Sequence, residues 1–148
     1  MKVKEIEAFL RENEAEFELL KQDKPILSAA DAAAYYPVEK AAPTFVLQTE
    51  NGLIGCITSA NSGRLDFEAL KQKIGCTKLK MADKKKIKSQ TGYEIGSIPL
   101  IGLGLPCLFD NTLIKYDYIY GGTGDELVTL KIVPQDVMRL NKIIGTFN

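Results

Sequence analysis

Two glycine-rich stretches carry the residues best suited to chemistry: Gly92-Tyr93-Glu94-Ile95-Gly96-Ser97-Ile98-Pro99 and Gly121-Gly122-Thr123-Gly124. Without a Cβ in the way, backbone N–H groups can converge on a carboxyl, a phosphate or a tetrahedral oxyanion. Gly96, Ser97, Gly121 and Gly122 are the candidates for that work. Glycines also serve ordinary turns, and for each stretch taken alone that reading stays open. Neither stretch is a P-loop or a dinucleotide fingerprint, because no Gly-Lys-Ser/Thr ending and no G-x-G-x-x-G after a strand occurs.

Histidine is absent, which removes Ser-His-Asp and Cys-His nucleophiles and the usual imidazole ligands of a catalytic zinc. Cys56, Cys76 and Cys107 make an odd count with no C-x-x-C spacing, arguing against a disulfide framework or a zinc knuckle. Cys56 falls in an apolar run and reads as a small buried hydrophobe. Among Asp66, Glu94, Asp110, Asp117, Asp125 and Glu126 no spacing forces two carboxylates together. Asp110-Asn111 reads as a turn and Asp125-Glu126 as a hairpin tip. Neither a metal nor a cofactor is expected.

The net charge is zero but unevenly spread. Between positions 67 and 90 eight lysines face only Glu68 and Asp83, while the first twenty residues are rich in glutamate. Lys84, Lys85, Lys86 and Lys88 are candidate phosphate contacts, though a charge run can equally be a solvated helix face. The N-terminus alternates charged and apolar positions, so it lacks a secretion signal, and no apolar run is long enough for a membrane span. A soluble, cytoplasmic protein is expected.

The elements that must position these residues follow from local signals. Val3, Ile6, Phe9, Leu10, Phe17 and Leu20 suggest an amphipathic helix over 2–22. Ser28 and Asp31 mark the start of a short helix that Pro37 closes. The runs 44–49 and 53–59 flank Asn51-Gly52, the strongest short hairpin signal, suited to a type I′ turn. Asp66 and Gly75 bracket one helix, and Asp83 and Gly92 bracket the lysine-rich one. Residues 78–81, 107–109, 116–120 and 127–133 read as strands, the last two joined through Gly121-Gly122-Thr123-Gly124. Breakers make 93–106 a structured loop. Pro134 opens a final helix striped by Val137, Leu140, Ile143 and Ile144. This order predicts a single α+β domain over 1–148 rather than a doubly wound one.

At these residues the chain resembles the YbaK/ProX superfamily of aminoacyl-tRNA editing domains, including those inserted in bacterial prolyl-tRNA synthetases. The resemblance runs from about Pro25 to Ile144. It is carried by Arg64-Leu65-Asp66-Phe67, Ala82-Asp83, Thr91-Gly92-Tyr93-Glu94-Ile95-Gly96-Ser97-Ile98-Pro99, Leu105-Pro106, Asp110-Asn111-Thr112-Leu113 and Tyr118-Ile119-Tyr120-Gly121-Gly122. It implies a curled mixed β-sheet or partly closed barrel with surrounding helices. The implied activity is that of a freestanding trans-editing deacylase, which hydrolyses the ester joining a wrong amino acid to tRNA without a metal. The implied partner is mischarged tRNA, with an aminoacyl-tRNA synthetase as a further candidate, and neither membrane nor DNA.

Family position makes Thr44 and Tyr93 pocket residues. A pocket between the two glycine stretches adds Ile98, Pro99 and Thr123 as substrate contacts and the backbone near Gly96-Ser97 and Gly121-Gly122 as oxyanion donors. Two departures stand out. Members with established editing carry lysine directly before the Thr of the first central strand, where this chain has Pro43, and Lys40 is the nearest candidate to replace that ammonium. The family's Gly-x-x-x-Pro is here Gly96-Ser97-Ile98-Pro99, with proline one position early. A non-catalytic relative that binds an amino acid, a charged tRNA or a synthetase is the alternative reading.

Overall fold

A computed structural model of the chain describes residues 2–26 and 28–148. Its α+β architecture agrees with the expectation, in two sheets that share one core. Strands β2 (Thr44–Thr49), β3 (Gly52–Ile57), β4 (Leu79–Met81), β5 (Cys107–Asp110) and β8 (Ile143–Phe147) form a mixed sheet in the order β4-β2-β3-β5-β8. Strands β1 (Phe17–Lys21), β6 (Ile119–Gly122) and β7 (Val128–Ile132) form an antiparallel sheet in the order β1-β7-β6. Two single bridges, Ala41 with Tyr120 and Pro99 with Gly122, join β6 to the rest. The sheets enclose Val46, Ile57, Phe109, Ile119 and Leu130, and no closed barrel forms among the described residues.

The mixed sheet is buried on both faces. Val46, Leu53 and Ile57 enter the shared core, while Leu47, Ile54 and Cys56 meet helix α3 (Phe67–Ile74) through Leu70. That double burial is why β3 reads as a continuous apolar run. Cys56 is buried as expected, and desolvation pushes its thiol up to about 12.

Both bracketed helices form as expected. Asp66 accepts from Ala69 N–H ahead of α3, and Asp83 accepts from Lys85 and Lys86 N–H ahead of α4 (Lys84–Thr91). Gly75 and Gly92 end them at φ 72° and 81°, the left-handed conformation that glycine adopts without a Cβ clash. The start at Ser28 is also seen, its hydroxyl accepting from Asp31 N–H at 3.2 Å ahead of the short α2 (Ala29–Ala32).

Several expectations are corrected. The helix over 2–22 is two elements: α1 (Val3–Glu12) ends at Asn13, Glu14 takes φ 55°, and Phe17 to Lys21 continue as β1 against β7. The final helix is likewise only α5 (Pro134–Leu140). Asn141 Nδ2 donates to the Val137 and Leu100 carbonyls, and Ile143 and Ile144 lie in β8, parallel to β5. In both cases short apolar spacings fit a strand as well as a helix, and the partner strand is remote in sequence.

Third, the hairpin is present but its loop residues are Glu50 and Asn51, because Thr49 pairs with Gly52. Only Gly52 takes positive φ, 123°, so the turn is not type I′. Glu50 is held by Thr77 N–H at 2.8 Å, Thr77 Oγ1 at 3.0 Å and Lys78 N–H at 3.2 Å. These bonds, led by the Thr77 amide, pull its carboxyl down to about 2.

Further along, β6 begins at Ile119 rather than 116 and contains Gly121 and Gly122, which the sequence placed in the turn. Asp110 caps a 3-10 turn, Asn111–Lys115. Burial raises this carboxyl, but hydrogen bonds from Ser62, Thr112 and Asn148 outweigh it and hold it below the usual range. The same carboxylate accepts from Ser59 N–H, so it fixes the loop after β3. No helix among the described residues is long and apolar enough to cross a membrane.

Candidate functional site

The bridge between Pro99 and Gly122 brings the two glycine stretches together, with Leu100 N–H donating to the Gly122 carbonyl at 3.0 Å. Beside it lies a cavity of about 380 Å3, walled by the start of β2, the 95–98 loop, β6 and the tip before β7. Of the expected residues, Thr44, Gly96, Ser97, Ile98, Gly121 and Gly122 line it.

The glycines differ in what they do there. A Cβ at Gly121 would run into the Leu100 side chain, and one at Gly122 into the Ile98 carbonyl. Gly124, at φ 90°, would place a Cβ 2.6 Å from Tyr93 Cε1. Gly121 and Gly122 are glycine so that the two segments can pack, and Gly124 both for that and for its left-handed backbone. Gly96 instead sits at φ 93° with no atom near its missing Cβ, so its need is conformational. The Ser97 N–H donates to the Glu94 carbonyl at 3.0 Å, which leaves the Ser97 hydroxyl, rather than its amide, as the group that residue brings to the wall.

Pro99 is buried at the bridge and does not line the cavity. Tyr93 lines an adjoining depression with Thr123, Ser97 and Gly124. Thr123 is buried and organises the tip: its Oγ1 donates to the Val128 carbonyl at 2.9 Å and accepts from Asp125 N–H at 3.2 Å. Lys40 is not on the cavity wall. Its Nζ donates to Asp117 Oδ1 at 2.9 Å, and this bond raises the lysine and lowers the carboxyl.

Several lining residues went unread in the sequence. Tyr36 stacks on Tyr120, ring centroids 4.6 Å apart and planes 8° from parallel, and both face the cavity. Burial pushes the Tyr36 phenol up. Asp125 and Glu126 are the charged residues on the wall, and no lysine or arginine is among the described residues lining it. Thr44 Oγ1 is buried with no hydrogen-bond partner among the described residues. Such atoms are uncommon, since burying an unsatisfied hydroxyl costs about 1–3 kcal/mol.

Outside the cavity, α4 turns Ile87 inward and exposes Lys84, Lys85, Lys86 and Lys88. Lys88 reaches back to the Gly92 carbonyl at 3.1 Å and to Glu94 at 3.4 Å. Lys84, Lys85 and Lys86 make no ion pair among the described residues. The cavity is thus neutral to acidic inside and flanked by cations outside.

A model of the aminoacyl-tRNA editing domain family matches residues 23–140. Among solved structures, the hypothetical protein APE2540 superposes with a TM-score of 0.85 at 21% identity, over 95% of this chain and 96% of that one. A protein proposed to be a trans-editing enzyme for prolyl tRNA synthetase superposes with a TM-score of 0.80 at 20% identity, over 95% and 93% of the respective chains. At such identities the superpositions establish the fold. The family match spans most of the chain, from the segment before α2 to the end of α5, and includes the described cavity lining except Gln22. The chain belongs to the aminoacyl-tRNA editing domain family.

Proposed function

We propose that the protein is an aminoacyl-tRNA deacylase that clears mischarged tRNA. The observation that carries this reading is the charge pattern of the site within an editing-domain fold: an apolar cavity whose charged wall residues are Asp125 and Glu126, beside the exposed lysines of α4. An aminoacyl ester is cationic at its amine and polyanionic at its tRNA end. Carboxylates on the wall suit the ammonium, and the α4 lysines suit phosphates.

Hydrolysis asks little of side chains. Water adds to the ester carbonyl, the carbonyl oxygen takes up negative charge, and the bond to the terminal ribose oxygen breaks as that oxygen regains a proton. Free amino acid and tRNA leave. Donors for the developing oxyanion would come from the Ser97 hydroxyl and the backbone at Gly96, with Thr44 as a third hydroxyl on the wall. Holding the ester against water, with the neighbouring ribose hydroxyl at hand, supplies the proximity term.

A second reading is binding without hydrolysis, as an accessory to tRNA or to a synthetase. The absence of a lysine from the described cavity wall, with Lys40 paired to Asp117, favours it. The two separate on one assay: release of amino acid from a panel of mischarged tRNAs, with correctly charged tRNAs as controls. Selective release from at least one mischarged species supports the deacylase. Saturable binding of a charged tRNA with no release would support the accessory role instead.

A further inference from the structure

Strand β1 is an open edge: β7 pairs with it on one side, and no strand lies on the other among the described residues. The Val133 N–H donates to the Glu16 carbonyl and the Gln22 N–H to the Leu127 carbonyl, so the even-numbered residues here turn their backbone groups toward β7. In an antiparallel ladder the residues between them point N–H and C=O the other way. Phe17, Leu19 and Lys21 therefore hold out a row of donors and acceptors that has no partner among the described residues. Along this edge runs a groove with an acidic rim. Its far wall is Glu7 and Arg11 of α1, paired with each other at 3.4 Å, and Phe17 and Leu19 give it an apolar floor. Glu16 and Glu18 line the same groove and are exposed, as are Glu12 and Glu14 before them. None of these four makes an ion pair among the described residues. Lys131 stands across the ladder from Glu18 with its ammonium over the Tyr118 ring, and Arg139 is bound to Asp136.

We propose that this edge takes up an extended, lysine- or arginine-rich segment of another protein as an added strand. In that mode main-chain hydrogen bonds supply affinity and alternate side chains supply selectivity. Glutamates along an edge repel acidic strands and gain nothing from apolar ones, whereas a strand alternating basic and apolar residues meets both the rim and the floor. A second copy fits less well. Pairing β1 with another β1 sets the two glutamate runs against each other, and the basic edge strand β4, only Leu79–Met81, is too short to cover β1. The inference stands apart from whether the cavity hydrolyses an ester.

The test is an anisotropy titration with a labelled, end-capped peptide of alternating lysine and valine, against one of alternating glutamate and valine. The lysine peptide is expected to bind saturably at low salt and more weakly as salt rises, and the glutamate peptide not to bind. The double variant Glu16→Gln, Glu18→Gln should weaken binding about fivefold. Lys21→Pro removes one outward N–H without touching the β7 ladder, a place where an edge tolerates proline. It also removes a positive charge, which by charge alone would tighten binding of a cationic peptide. A loss of about fivefold in this variant therefore reports the missing donor. Thermal melting accompanies both variants.

Two measurements on the unaltered protein hold the test open if Lys21→Pro fails to fold. Methylating the peptide nitrogens, at the lysines in one form and at the valines in the other, blocks one edge of the peptide in each, and at least one form should lose binding. Hydrogen exchange at the Phe17, Leu19 and Lys21 amides should slow when the lysine peptide is bound. No saturable binding, equal binding of the glutamate peptide, full affinity in both methylated forms, or unchanged exchange at those amides would overturn the added strand. So would self-association of the wild type at low salt that the double variant Lys78→Gln, Lys80→Gln abolishes, since the occupant would then be β4 of a second copy.

Discussion

Gly96 and Gly122 stand on either side of one bridged junction and need to be glycine for different reasons. Gly96 has room for a side chain but holds φ 93°, whereas Gly122 has an ordinary φ and no room, because the Ile98 carbonyl occupies the place of a Cβ. Glycine in a motif can thus record a backbone conformation or a close approach, and the sequence pattern does not distinguish them. Here the close approach belongs to Gly121 and Gly122, so these two explain how the cavity is assembled. The open position at Gly96 leaves its backbone available to a ligand.

The largest effect should follow from crowding the junction. Gly122→Ala is expected to cost about 3 kcal/mol, since the obstacle is backbone, and Gly121→Ala about 2 kcal/mol, since the buried Leu100 can give way only in part. Urea unfolding reads both. Wild-type stability in Gly122→Ala would break the comparison at its stronger end.

Gly96→Ala comes next, at about 1 kcal/mol from the positive φ alone. Gly96→Asn should lose less, because asparagine tolerates that region better than other residues. If alanine and asparagine cost the same, the conformational account of Gly96 is wrong. Any loss of deacylation in Gly96→Ala beyond its loss of stability would mark a role for that backbone toward substrate. The same excess in Gly122→Ala would be uninterpretable without the unfolding data.

Thr44, on the cavity wall at the start of β2, sharpens the contrast because its misfit is polar. Replacing this hydroxyl, which has no partner among the described residues, with a methyl in Thr44→Val should stabilise the ligand-free protein by about 1 kcal/mol. A loss of stability would show that the hydroxyl is satisfied in solution.

Glu50 serves as the remote control and should give the smallest effect. Its carboxyl is held near 2, below its ordinary value of 4.5, so its bonds contribute stability fully above about pH 4.5. That contribution is lost as pH falls through about 2. Glu50→Gln should flatten this acid limb of an unfolding curve and leave neutral-pH deacylation alone. An unchanged acid limb would remove Glu50 as the clasp between the hairpin and the chain after α3.

What was legible in the sequence divides along the range of the interactions. The caps at Asp66 and Asp83 and the glycine stops at Gly75 and Gly92 are settled by hydrogen bonds within a few residues, which a local pattern contains. Phe17 to Lys21, and Ile143 with Ile144, fit a helical pattern in the sequence because their apolar spacing suits either element. What decides them is pairing with β7 and β5, invisible to a local pattern. The site divides in the same way. Motifs indicated that the two glycine stretches share a pocket, and the Pro99–Gly122 bridge does join them. The Tyr36–Tyr120 stack, the turn of Lys40 toward Asp117 and the placing of Asp125 and Glu126 on the wall depend on contacts between distant segments.

The most direct measurement of the central claim is single-turnover deacylation of a mischarged tRNA panel, each substrate prepared with its amine free and with its amine acetylated. A cavity that takes up the ammonium at Asp125 and Glu126 should release amino acid from the preferred free-amine substrate at least about tenfold faster than from its acetylated form, a difference worth roughly 1.4 kcal/mol. The double Asp125→Asn, Glu126→Gln variant should narrow that gap. Failure to release any amino acid from the panel, or equal rates on both forms in wild type and variant, would contradict the account.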